Sequence, residues 1–120
     1  MEPTYSDLDE STEQFVAECL RALQEIQVDI SDAKAIGIYY DQMLAEWLAA
    51  PENERSDPYS RINLIGVALG QHLVQFTPMK WVIATDDLGV ELAVRGSGWL
   101  VYPPNAVAKR WDEREGGAFI

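Results

Sequence analysis

The feature that most narrows the fold of this chain is a change of hydrophobic period near residue 80. From Ser11 to about Gln75 apolar residues recur at helical spacing, and from Trp81 to Tyr102 they fall in short extended runs separated by turn residues. Ser11-Thr12-Glu13-Gln14 has the capping-box form, with Ser11 as N-cap and Gln14 three residues on. In the first helix Phe15, Val16, Cys19, Leu20, Ala22, Leu23 and Ile26 share one arc of the wheel, so it covers a core. Cys19 lies inside that arc and reads as a small buried hydrophobe rather than a reactive thiol.

Ser31 is expected to cap a second helix that runs to about Ala50 and is stopped by Pro51. Its buried stripe is Ile36, Tyr40, Met43, Leu44, Trp47 and Leu48, whereas Ile38 and Tyr39 point to the other side. Asp57-Pro58 opens a third helix that is apolar on two sides, the pattern of a helix sandwiched between other elements. Gly66 and Gly70 within it cost about 1 kcal/mol each against Ala, and close approach of another backbone accounts for them.

Trp81–Thr85, Val90–Arg95 and Trp99–Tyr102 then read as three strands, joined by Asp86-Asp87-Leu88-Gly89 and Gly96-Ser97-Gly98. Pro103-Pro104 ends the meander. Asn105 is expected to cap a last helix over residues 106–115, with Val107 and Trp111 inward and Gly116-Gly117 as terminator. The order is that of an α+β domain: N-terminal helices, a central helix, a three-stranded antiparallel meander and a C-terminal helix. It spans residues 11–120 and follows a flexible acidic arm, residues 1–10.

Composition limits the chemistry. One Cys and one His in 120 residues exclude a disulfide scaffold and a zinc site built from Cys and His. The net charge of −11 lies wholly in residues 1–60, which hold fourteen acids and three bases, while residues 61–120 hold six of each. Such a balance repels phosphate, so no nucleic-acid partner is expected. The N-terminal face instead suits a basic protein, with Glu10, Glu13, Asp29, Asp32 and Tyr39 as contact candidates. No signal sequence or membrane-spanning run is visible, and the lone Cys fits a reducing interior, so the expected location is cytoplasmic.

Candidate chemistry is sparse. Asp86, Asp87 and Glu91 gather three carboxylates at one turn, a weak metal candidate whose spacing matches no EF-hand loop. Arg95, Lys109 and Arg110, with Tyr102 and His72 nearby, are the candidates for binding an anion or small molecule beside the sheet. His72 has no Ser or Cys partner in reach and reads as a hydrogen-bonded boundary residue. No nucleophile–base set, phosphate loop or cofactor motif is present, and the reading leans away from an enzyme.

Three segments carry a resemblance: Leu-Ile-Gly-Val-Ala-Leu-Gly-Gln-His-Leu (64–73), Trp-Val-Ile-Ala-Thr-Asp-Asp-Leu-Gly (81–89) and Tyr-Pro-Pro-Asn-Ala-Val-Ala-Lys-Arg (102–110). On these the chain resembles a bacterial family known as domain of unknown function 3806. The resemblance implies a helix, a short meander and a strand-to-helix step ending in Lys-Arg, and it implies no activity. The functional expectation is a non-enzymatic protein-interaction module with an acidic face, one version being an immunity-type inhibitor of a basic toxin. The alternative is an anion-binding domain built on the basic cluster. The sequence does not set the oligomeric state.

Overall fold

The computed structural model describes residues 2–96, 98–117 and 120. Its elements are β1 (Thr4–Ser6), α1 (Glu10–Glu25), α2 (Ala33–Ala49), a 3₁₀ turn (Glu52–Glu54), α3 (Tyr59–Phe76), β2 (Lys80–Asp86), β3 (Gly89–Gly96), β4 (Trp99–Val101) and α4 (Pro103–Asp112). The α+β class stands, but the sheet has four strands rather than three, all antiparallel in the order β1-β2-β3-β4. The added strand lies inside the stretch read as an arm: Thr4 pairs with Thr85 and Ser6 with Ile83. Three residues are too few to show a period, so β2's edge and not a local pattern defines it. Met1 of that arm and Ser97 of the second expected turn lie outside the described residues.

α3 is the centre of the molecule. It touches α1, α2, α4, β2 and β3, as its two apolar faces require. The main core joins Leu23, Ile36, Tyr40, Leu44, Ile62, Ile65, Ala68, Val107 and Trp111. Trp111 is fully buried, with the Tyr40 ring edge-on at 5.9 Å and Trp47 tilted at 5.6 Å. The two glycines differ in what they admit. A Cβ on Gly66 would lie 2.7 Å from Pro104 Cα, a backbone contact within the chain, whereas one on Gly70 would strike the Trp81 indole.

The caps shift by one or two residues. Asp9, not Ser11, caps α1, its carboxylate accepting the Thr12 N–H at 2.7 Å. Asp32, not Ser31, caps α2 through the Lys34 N–H at 3.0 Å. In both places a carboxylate stands within two residues of the hydroxyl and is favoured by the helix dipole. Asp57 accepts from the Tyr59 N–H as expected. α4 starts three residues before Ala106, because Pro103 occupies the first helical position, where its missing N–H costs nothing. It ends before the glycines: Arg114 takes φ 58, and the Arg114 and Glu115 N–H groups donate to Trp111 O and Arg110 O.

The sheet has two unlike faces. Trp81 and Val94 are paired across β2 and β3 and turn toward α3, where the Trp81 Nε1–H donates to Gln71. Alternation sends Val82, Ala84 and Ala93 to the opposite side. There they form a small separate cluster flanked by Tyr5 and Tyr102.

Candidate functional site

The connection between α1 and α2 builds a cleft in the acidic half. α1 ends with Gln27 in the left-handed region, φ 62, and the Val28 N–H reaches back to Leu23 O at 3.0 Å. This reversal leaves Ile26 half-exposed and draws Val28 against the main core. Asp29 then locks the loop, accepting from both the Ser31 N–H and the Ser31 hydroxyl. Those bonds, the hydroxyl first, hold the Asp29 carboxyl below its ordinary range. Three residues further on, Asp32 starts α2.

The resulting hollow, about 340 Å³, is lined by Ile26, Val28, Asp29, Ile38, Tyr39 and Gln42, among others. Ile26 and Ile38 are 50% and 49% exposed, so two large aliphatic side chains stand open on one surface. Ile38 also borders a second hollow of about 370 Å³ with Lys34, Asp41, Gly117 and Ile120. That floor is stiff, because Asp41 accepts the Gly117 N–H at 2.6 Å and Gly37 packs against Gly117. Burial pushes the Tyr39 phenol up, with Arg61 opposing and Glu46 adding.

The five partner candidates are thereby divided. Asp29 and Tyr39 line one cleft, and Asp32 stands at the helix start beside it. Glu10 and Glu13 lie in the first turn of α1, roughly 20 Å away along the helix at 1.5 Å per residue. Ile26 is the residue that sequence reasoning missed. The wheel placed it in the buried arc, but it is the cap residue at the very end of α1, where the arc has run past the core. Phe15, also placed in that arc, is 37% exposed.

The basic set is spread over the fold. Arg95 lies on the sheet face opposite α3, its guanidinium 3.9 Å from the centre of the Tyr5 ring. With Lys80 it borders a hollow of about 250 Å³, where Lys80 Nζ is 3.4 Å from Asp7. Tyr102 shares that face. Its phenol is pushed up by burial, then by Tyr5, Asp86 and Glu91. Arg110 is near the end of α4, 3.4 Å from Glu115, and Lys109 is exposed on the same helix. His72 belongs to a third place: its Nδ1–H donates to Ile30 O at 2.8 Å, which sets the tautomer and ties the α1–α2 connection to α3.

Asp86, Asp87 and Glu91 do not gather as metal ligands. Asp86 accepts the Leu88 N–H at 2.8 Å inside the hairpin turn, and no group of three or more potential ligands forms among the described residues. The Cys19 thiol is pushed up by burial and then by Glu18, away from the reactive thiolate. No helix is long and apolar enough to cross a membrane among the described residues.

A family model described as a domain of unknown function (DUF3806) matches residues 37–118, more than half of the chain. No curated protein and no solved structure matches it.

Proposed function

We propose that this chain, which belongs to the DUF3806 family, works as a protein-interaction module whose α1–α2 cleft receives a basic protein in the cytoplasm. The observation that carries the reading is the coincidence of Ile26 and Ile38, half-exposed, with Asp29 and Tyr39 in one hollow of about 340 Å³. Tyrosine is a common anchor of protein contacts, and large apolar side chains open to water beside it mark an interaction surface. The surrounding charge selects the partner. Asp29 and Asp32 flank the cleft, and the half of the chain that builds it carries all eleven excess negative charges. A field of that sign speeds encounter with a basic surface and weakens with salt.

The anion-binding reading has less support, because Arg95, Arg110 and His72 occupy three settings with separate partners. The test is capture from lysate with three baits: the wild type, Ile38→Gln, and the pair Asp29→Asn with Asp32→Asn. Asn keeps the oxygen that accepts the cap hydrogen bonds and removes only the charge. Recovery of a basic protein by the wild type, reduced by each variant, supports the reading. An identical catch on all three baits rejects it.

A further inference from the structure

We infer that β4 is a self-association edge: two copies of this chain pair their β4 strands antiparallel about a two-fold axis through Leu100, joining two four-stranded sheets into one of eight. The two edges of the sheet are built differently. β1 at one end is polar, Thr4-Tyr5-Ser6, and is bracketed by Pro3 and Asp7. Proline and charge at an edge are the usual guards against strand addition. β4 at the other end is Trp99-Leu100-Val101, and no strand covers its outer side among the described residues.

The groove face of β4 is also free of charge, Arg95 lying opposite Leu100 on the other face of the sheet. Residues 62–79 and 96–108 contain no Asp, Glu, Lys or Arg, in a chain where 24% of residues are charged. These two segments supply Leu73, Thr77, Pro78, Met79, Trp99 and Val101 to an apolar groove of about 440 Å³ beside the strand. Trp99 is 74% exposed and Leu100 37%. A charged partner finds no ion pair in that groove. A second copy brings the same uncharged strand, and it meets this one on the side of the neutral half, where repulsion between two chains of −11 is least. With Leu100 opposite Leu100 of the partner subunit, Trp99 faces Val101 of the partner subunit on the groove side.

The test is sedimentation of the full chain over a wide concentration range, with circular dichroism to confirm that each variant is folded. A dimer of twice 13.5 kDa is expected. Leu100→Lys, which sets like charges face to face, raises its dissociation constant by roughly tenfold or more, and Thr4→Lys on the β1 edge leaves it unchanged. A second readout does not depend on destabilising the strand. Leu100→Cys in a Cys19→Ser background forms an intermolecular disulfide on mild oxidation, because opposed residues of an antiparallel pair lie within bridging distance. A monomer at every concentration overturns the inference, as does a dimer that survives Leu100→Lys or fails to crosslink through residue 100.

Discussion

Gly66 of α3 and Pro104 of α4 approach so closely that a Cβ on Gly66 would stand 2.7 Å from Pro104 Cα and 2.8 Å from its nitrogen. Both atoms are backbone and cannot swing aside. Gly66→Ala therefore forces α3 and α4 apart, at about 1–3 kcal/mol, which outweighs the roughly 1 kcal/mol that Ala normally gains over Gly in a helix. Thermal unfolding should show Tm lowered by several degrees. An unchanged or higher Tm refutes the contact.

Gln27 and Arg114 occupy the left-handed region at the ends of α1 and α4, with φ 62 and 58. An L side chain there is strained by about 1 kcal/mol relative to Gly. Gln27→Gly should therefore raise stability by up to about 1 kcal/mol. Arg114→Gly gains less, because it removes the guanidinium 5.1 Å from the Trp47 ring and its bond to Trp111 O. Urea titration of both variants ranks them, and the reverse order contradicts this reading.

Tyr40 is fully buried, and its hydroxyl donates to Glu115 O at 2.8 Å. Burial first, then Asp41 and Glu115, push its phenol up to about 12. The unfolded chain loses this proton near pH 10, so the contribution is whole below pH 10 and disappears as pH rises toward 12. The size is roughly 3 kcal/mol. Tyr40→Phe forgoes the hydrogen bond but no longer titrates, so its denaturation midpoint should fall less between about pH 9 and pH 12. Equal slopes for the two proteins would show that Tyr40 is not the group responsible.

Ser11 is expected to start α1, but of the two residues Asp9 is the one that bonds a helix N–H. Its carboxyl is held below the ordinary range by the Thr12 side chain first and the Thr12 N–H second, so its support is present above the unfolded carboxylate pKa and fades as pH falls through the lower, folded value. Asp9→Ala should lower Tm measurably at neutral pH and Ser11→Ala should not. The opposite pattern restores Ser11 as the cap.

The sequence was legible where periods are long. All three N-terminal helices, the buried stripe through Ile36, Tyr40 and Leu44, and the β2–β3 hairpin with Gly89 at positive φ follow from spacing and turn chemistry. β1 was not legible, because its pairing with β2 is set 79 residues away, between Tyr5 and Ala84. The cleft was half legible. Ile38 and Tyr39 stood apart from their helix's stripe, but Ile26 looked buried, since the wheel does not show where a helix leaves the core. The basic cluster failed for the same reason: adjacency in the chain does not report that Arg95 stacks on Tyr5 while Arg110 turns to Glu115.

The most direct test of the acidic cleft is quantitative capture in which Asp29→Asn with Asp32→Asn, Ile38→Gln and a sheet-face control, Lys80→Gln, are compared with the wild type at low and 0.5 M salt. The cleft reading predicts a basic protein whose recovery drops with both cleft variants and with salt, and holds with Lys80→Gln. Recovery that is insensitive to Ile38 and Asp29, or lost equally with Lys80→Gln, contradicts it.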